Sequence, residues 1–113
     1  MKSKKRRKKT ESIFKQPEGH CFLCDRQGLN VLYGNLERHH IFFGCDHAQA
    51  EKYGFTINLC LKHHRGDIMG DQEAVHSPDK NDNDVFLKRW AQTEYEKTHS
   101  RAEFMAIFSR SWL

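Results

Sequence analysis

The sequence predicts a small α+β domain in which bound metal helps to hold the chain together. Its 113 residues suffice for one domain, but a hydrophobic fraction of 37% leaves little apolar surface for a core. Four cysteines and eight histidines supply ligands with which a structural metal can stabilise such a chain. Short alternating stretches precede two longer helical patterns, and this order of elements indicates an α+β fold.

The basic residues are concentrated at the N-terminus. Seven of the 19 lysines and arginines lie between Lys2 and Lys9, so the remaining 12 are outnumbered by 15 acidic residues. We therefore expect a disordered basic arm over residues 1–15 and a single domain over residues 16–113. A flexible cationic arm attracts phosphates, but a tail that only solubilises the chain would have the same composition, so both interpretations stay open.

Short strands and helices are predicted in the first part of this domain, over about residues 20–77. Glycines mark several of their ends: Gly44 after an apolar run, Gly54 after a short helical pattern, and Gly66 after a second one. The predicted strands are residues 31–33, 39–43 and 55–59, and the predicted helices are residues 46–53 and 60–65.

Two further helices are predicted in the C-terminal part, over about residues 82–111. The first follows candidate N-caps at residues 81–84 and keeps helical spacing of its apolar residues to about Lys97. Ser100 and Glu103 have the spacing of a capping box, which should begin the second helix. The aromatic residues and Met105 are expected to pack in the core rather than to line a cofactor pocket.

Two ligand pairs have the spacing of zinc knuckles. Cys21-x-x-Cys24 and Cys60-x-x-His63 together make a tetrahedral set, which predicts a structural Zn²⁺. The N-terminus does not resemble a secretory signal and the apolar runs are too short to span a membrane, so we expect reduced thiols in the cytoplasm. Cys45 is left over, and a free or packed thiol is favoured there, although it could replace an assigned ligand.

Four residues outside the zinc set suit phosphodiester hydrolysis: His39, His40, Asn58 and His64. The segments His39-His40-Ile41 and Asn58-Leu59-Cys60-x-x-His63-His64 resemble the HNH, or His-Me finger, endonuclease motif in its zinc-knuckle version. The motif covers roughly half the chain. Through its HHIFFG segment the chain is also similar to small phage and prophage proteins of Gram-positive bacteria.

This resemblance implies a ββα-metal fold, in which a hairpin is followed by a helix, and it implies residue roles. His39 and His64 would bind a catalytic divalent ion, His40 would be the general base, and Asn58 would hold the His40 ring through a hydrogen bond. The expected ion is Mg²⁺ or Mn²⁺, and Zn²⁺ or Ni²⁺ could occupy the imidazole site in a purified sample.

The third protein ligand of that ion has two candidates. Many relatives place a histidine one helical turn after the last motif histidine, but Ile68 stands at that position here. His76 is assigned instead, with Asp67 as the alternative. Three basic residues flank the motif and are predicted to contact phosphates, although lone basic residues are usually solvated; they are Arg38, Lys62 and Arg65.

The resemblance thus predicts a metal-dependent DNA endonuclease that cuts by His-activated water attack. The likeness to phage proteins suggests DNA processing, recombination or packaging in a bacterial cytoplasm, together with a phage or host partner. The competing interpretation is a non-catalytic, zinc-dependent nucleic-acid-binding module that keeps the fold without cutting. A disulfide-linked secreted protein is a third, and it predicts neither bound zinc nor free thiols.

Overall fold

Residues 10–66, 74–77 and 82–113 are described in the computed structural model of the chain, and they form a small α+β fold. Their elements in chain order are α1 (Phe22–Arg26), β1 (Glu37–His40), α2 (His47–Tyr53), β2 (Thr56–Leu59), α3 (Leu61–His64), α4 (Asp82–Tyr95) and α5 (Arg101–Phe108). A 3₁₀ turn over Gly44–Asp46 leads into α2. None of the helices in these ranges has the length and apolar character needed to cross a membrane.

The strands β1 and β2 pair antiparallel and are followed directly by α3. His39 lies opposite Ile57 in this pair. Strand β1 begins and ends earlier than the predicted strand over residues 39–43. Beyond its end the Ile41 amide still donates to the Phe55 carbonyl at 3.0 Å, and Ile41 and Phe42 are buried in the core. There the Phe42 ring stacks on that of Phe108 in α5, with centroids 4.3 Å apart.

Helix α2 ends at Gly54, as predicted. Gly54 has the left-handed conformation, with φ at 78°, in which a side chain is strained. The backbone also passes close to it, since a Cβ at this position would lie 2.5 Å from the carbonyl oxygen of Glu11. Glycine therefore allows both the turn into β2 and the close approach of the N-terminal segment.

The predicted strand at residues 31–33 is wrong. Val31 and Leu32 are exposed, and the sheet of the described residues holds β1 and β2 alone. The Tyr33 amide donates instead to the Gly19 carbonyl at 2.8 Å, which wraps this segment around the first cysteine pair. A short apolar run becomes a strand only where a partner strand lies within reach, and periodicity does not reveal that partner.

The C-terminal helices complete the core around Phe42 and Phe55, which flank the strands. Phe104 and Phe108 are buried there, which confirms the packing role predicted for them, whereas the same expectation for Met105 is wrong, because its side chain is 42% exposed. The predicted capping box is also confirmed. The Ser100 hydroxyl accepts from the Glu103 amide, and the Glu103 carboxylate accepts from the Ser100 amide, both at 3.0 Å.

The segment over residues 10–16 lies against β2. The Ile13 amide donates to the Gly54 carbonyl at 2.9 Å, and the Gln16 side chain hydrogen-bonds both the amide and the carbonyl of Asn58. Residues 10–15 belong to the predicted disordered arm, yet these contacts hold them to the domain. Residues 1–9, which carry the basic run, lie outside the described residues.

Candidate metal centres

Three cysteines and a histidine meet in a buried cluster between α1 and α3. Cys21 and Cys60 are the N-caps of these two helices, and Cys24 and His63 lie one turn further along. His63 Nδ1 lies 3.5, 3.4 and 3.3 Å from the sulfurs of Cys21, Cys24 and Cys60, and the last two sulfurs are 3.8 Å apart. Tetrahedral zinc, with bonds of about 2.3 Å to sulfur and about 2.0 Å to nitrogen, spaces its ligand atoms by roughly 3.5 to 3.8 Å. The cluster therefore fits a structural metal such as zinc.

The surroundings of these thiols bear on their charge. Burial raises the pKa of the Cys21 thiol to about 12, so its thiolate forms near neutral pH only beside a positive charge such as a bound metal ion. The Tyr33 hydroxyl lies 3.0 Å from Cys24 Sγ, within reach to donate to a thiolate. The Gln27 side-chain nitrogen lies 3.2 Å from His63 Nε2. With the amide assigned the other way round, its oxygen would accept the Nε2 proton of a ring that binds metal through Nδ1. Both side chains could orient metal ligands, and knuckle spacing indicates neither of them.

Cys45 remains outside this cluster. It lies exposed in the 3₁₀ turn, and the structure joins none of the four cysteines in a disulfide. The four-ligand set is therefore the one predicted from the two knuckle pairs.

Three histidines form a second cluster on the other side of α3. They are His39 of β1, His64 of α3 and His76, and one ring nitrogen of each lies within 4.8 Å of the others. Nε2 of His64 and Nε2 of His76 are 3.2 Å apart. The backbone brings His76 to this place, because the amides of Val75 and His76 donate to the carbonyls of His63 and His64 at 2.8 and 3.1 Å.

His39 bears most directly on whether this cluster binds a metal. Its ring is fully buried, and neither Nδ1 nor Nε2 has a hydrogen-bond partner among the described residues. An unpaired buried polar group costs about 1–3 kcal/mol, and a cation bound to one of these nitrogens would supply the missing partner. Burial and the neighbouring His64 and His76 lower the pKa of His39 to about 2, so the ring stays neutral, as a ligand must. Asp67, the alternative third ligand, lies outside the described residues.

Glu37 fixes the orientation of His64. Its Oε1 lies 2.9 Å from His64 Nδ1, and the carboxylate also binds the Arg65 guanidinium. The hydrogen bonds from Arg65 and His64 lower the pKa of Glu37, so its carboxylate is ionised and can only accept. The Nδ1 of His64 must then carry the proton, which leaves the lone pair of Nε2 facing His76 and free for a metal.

His40 lies on the opposite face of β1 from His39, because neighbouring residues of a strand alternate. Its Nε2 lies 2.9 Å from Oε1 of Glu51 on α2. On the same side, the His47 ring packs against that of His40 with centroids 3.9 Å apart. The predicted base is thus placed next to the metal cluster in sequence, but its ring is held by α2 rather than by α3.

The structure does not bring the Asn58 side chain to His40. The register places Asn58 opposite Arg38, Thr56 lies opposite His40, and no hydrogen bond among the described residues joins the two side chains. Asn58 is exposed, and its backbone is held by Gln16. The expected hydrogen bond is therefore absent from this structure, and the partner of the His40 ring is Glu51.

The three basic residues predicted to contact phosphates have different surroundings. Arg38 donates to Glu51 at 3.1 Å and to the Thr10 carbonyl at 2.6 Å, and Arg65 pairs with Glu37. Lys62 is exposed on α3. Arg38 and Arg65 would have to exchange or share their present partners in order to bind a phosphate.

Comparisons of the chain with protein-family profiles, with curated proteins and with solved structures gave no match. His63 and His64 are neighbours on α3 and point about 100° apart, so that one helix supplies ligands to two separate clusters. The first cluster offers four possible ligand atoms to a metal, and the second offers three.

Proposed function

We propose that this chain is an HNH-type endonuclease that hydrolyses DNA phosphodiester bonds with the help of a divalent ion. The observation that carries the proposal is the environment of His39, a buried neutral imidazole without a described hydrogen-bond partner, beside the Nε2 atoms of His64 and His76. The next residue, His40, is partly exposed and hydrogen-bonded to a carboxylate, as expected of a general base. A metal ligand and a base thus occupy consecutive positions at the end of β1.

The second cluster would hold the catalytic ion, through His39, His64 and His76. Three imidazoles suit Zn²⁺ or Ni²⁺, whereas the Mg²⁺ or Mn²⁺ that the motif implies would complete its shell with water oxygens. When bound, the ion would polarise the phosphodiester and stabilise the negative charge on the leaving oxygen. The Cys₃His cluster would remain structural, because its four protein ligands leave no open position.

His40 would take the proton from the attacking water. Burial lowers the pKa of this ring in spite of its hydrogen bond to Glu51, so the neutral form prevails near pH 7. Neutral imidazole is the form that accepts a proton as water attacks phosphorus. Arg38, Lys62 and Arg65 would contribute phosphate contacts around this centre, and a basic arm would add attraction that weakens with salt.

The cellular role is proposed from the motif. The likeness of the HHIFFG segment to small phage proteins supports DNA processing, recombination or packaging in a bacterial cytoplasm, with a phage or host protein as partner.

Relaxation of supercoiled plasmid tests this function. Protein that carries one zinc per chain is incubated with Mg²⁺, Mn²⁺, Zn²⁺ or Ni²⁺ in separate reactions, and nicked circles are the expected product. His39→Ala and His40→Ala should each slow nicking by at least about 100-fold without loss of the structural zinc. His99→Ala changes an exposed histidine between α4 and α5, outside both clusters, and it should nick like the wild type.

Two results would count against the proposal. If the wild type binds DNA but nicks it with none of the four ions, the chain is better explained as a zinc-dependent binding module. If His40→Ala keeps full activity while His39→Ala loses it, the hydrolysis is metal-dependent but His40 is not its base.

A further inference from the structure

We infer that Glu51 is a positioning residue, which holds the His40 imidazole with its proton on Nε2 and so makes Nδ1 the atom that accepts the proton from water. The role of Nδ1 as the proton acceptor rests on the proposed nuclease function. The position of the proton on Nε2 follows from hydrogen bonds among described residues alone, and it can be tested separately.

The carboxylate of Glu51 is engaged on both oxygens. Its Oε1 lies 2.9 Å from His40 Nε2 and 3.1 Å from Nη2 of Arg38. Its Oε2 accepts from the Thr10 amide at 3.0 Å and lies 3.2 Å from the same Arg38 nitrogen. Apart from the His40 ring, the neighbours of this carboxylate are thus hydrogen-bond donors, and one of them carries a permanent positive charge.

These contacts determine which atom of His40 carries its proton. A carboxylate beside a guanidinium and a backbone amide is stabilised in its ionised form, and an ionised carboxylate has no proton to donate. Nε2 of His40 must therefore be the donor of the 2.9 Å hydrogen bond. In a neutral imidazole the other nitrogen is then the acceptor, so the lone pair available for catalysis is on Nδ1.

The fold restricts the movement of this pair. The side chains of His40 and Glu51 are 16% and 31% exposed. Glu51 follows the fully buried Ala50 in α2, and the Phe55 amide donates to the Ala50 carbonyl at 2.8 Å. The position of the carboxylate is therefore determined by the packing of α2 against the sheet, and the position of the ring follows from it.

A carboxylate also hydrogen-bonds the ring of His64, but on the other ring nitrogen. There Glu37 accepts from Nδ1 and leaves the Nε2 lone pair as the acceptor, whereas Glu51 accepts from Nε2 of His40 and leaves the Nδ1 lone pair as the acceptor. Two carboxylates thus select opposite tautomers for a metal ligand and a base. The motif interpretation had assigned the orienting role to Asn58, which the register places opposite Arg38.

Substitutions of Glu51 separate the hydrogen bond from mere packing. Glu51→Leu replaces the carboxylate acceptor by an apolar side chain of similar size. The kcat for plasmid nicking should fall roughly 10- to 100-fold with little change in KM. This loss is a part of the rate enhancement of about 10²- to 10⁴-fold that a positioned base contributes. Glu51→Gln keeps an acceptor and should recover most of this loss. Glu94→Leu is the matched control, because Glu94 has a similar exposure of 33% on α4, and it should leave kcat unchanged. Zinc content and circular dichroism establish that each variant is folded.

Nitrogen-15 NMR of histidine-labelled protein tests the tautomer without any nuclease assay. In the wild type and in Glu51→Gln, His40 should show a slowly exchanging ring proton on Nε2, and this signal should be lost by exchange in Glu51→Leu. His40→Gln identifies the resonance by its absence. A proton found on Nδ1 of His40, or full kcat in Glu51→Leu, would overturn the inference. If the protein nicks no DNA but His40 shows the Nε2 proton, the proposed function has failed while the positioning by Glu51 stands.

Discussion

Replacing His39 by leucine should make the protein more stable without the proposed catalytic ion and should abolish its stabilisation by that ion. In the ion-free state, His39 is buried with two ring nitrogens that have no hydrogen-bond partner in the described part of the chain. Leucine fills a comparable space without polar atoms. The substitution thus removes two buried polar atoms without a described partner and, at the same time, a ligand of the proposed catalytic ion.

The size of the effect follows from these two terms. Each unpaired buried polar group costs about 1–3 kcal/mol, and the misfit of a leucine in the histidine site costs up to about 1.5 kcal/mol. Because both ring nitrogens of His39 lack a partner among the described residues, leucine removes a cost of about 2–6 kcal/mol. Ion-free His39→Leu should therefore exceed the ion-free wild type in unfolding free energy by about 0.5–6 kcal/mol. An ion at 100 times its dissociation constant stabilises the wild type by about 2.7 kcal/mol, and it should not stabilise the variant. The advantage of His39→Leu consequently shrinks or reverses as the ion is added.

Urea unfolding at 25 °C measures both the difference in unfolding free energy without the ion and the stabilisation that the ion provides. The wild type and His39→Leu are compared at one zinc per chain, first with a weak chelator that keeps other ions away and then with increasing Mn²⁺ or Ni²⁺. His99→Leu is the control, since it replaces an exposed histidine by the same residue and should keep the ion-dependent gain of the wild type.

Two outcomes would refute this reasoning. If ion-free His39→Leu were less stable than the ion-free wild type by more than about 2 kcal/mol, His39 would have partners that the described residues do not show. If the variant still gained stability with the ion, His39 would not be a ligand.

Three further substitutions test the fold. Cys60→Ala removes one of the four proposed zinc ligands. Binding of structural zinc contributes about 10–16 kcal/mol in zinc-finger peptides, which is as large as the whole stability of a domain, about 5–15 kcal/mol. The variant should therefore lose its zinc and unfold, and elemental analysis and circular dichroism measure these two losses. Gly54→Ala should lower the unfolding free energy by about 1–3 kcal/mol, since φ is 78° and the new Cβ would lie 2.5 Å from the Glu11 carbonyl oxygen; a loss below about 0.5 kcal/mol in thermal denaturation would contradict this packing. Ser100→Ala removes the cap of α5 and should cost about 1 kcal/mol in the same measurement, with an unchanged nicking rate because Ser100 belongs to neither cluster.

Features that depend on a few neighbouring residues could be predicted from the amino-acid pattern. The two knuckle pairs are an example, since ligands three positions apart on a helix N-terminus converge whatever the rest of the chain does. The capping box at Ser100 and the helix end at Gly54 are others, because caps form within one turn. The division of His63 and His64 between two clusters likewise follows from their adjacency on a helix.

The remaining features depend on which segments meet in space. His76 joins His39 and His64 through backbone hydrogen bonds between residues 75–76 and α3, whereas the spacing along the chain still left Asp67 as an alternative to His76. The roles of Glu37 and Glu51 likewise had no signal in the pattern, because a lone glutamate in a charged sequence is most often solvated.

The hydrogen-bond partner of His40 shows most clearly why some contacts of the site could not be predicted from the sequence. The motif supplied both His40 and Asn58, but strand register decides which side chains lie opposite one another, and register results from packing over the whole domain. That packing placed Thr56 opposite His40 and brought α2, with Glu51, against its ring. The kinds of residue needed for the site are therefore present in the linear motif, while their hydrogen-bond partners, and with them the tautomers of the histidines, are set by tertiary contacts.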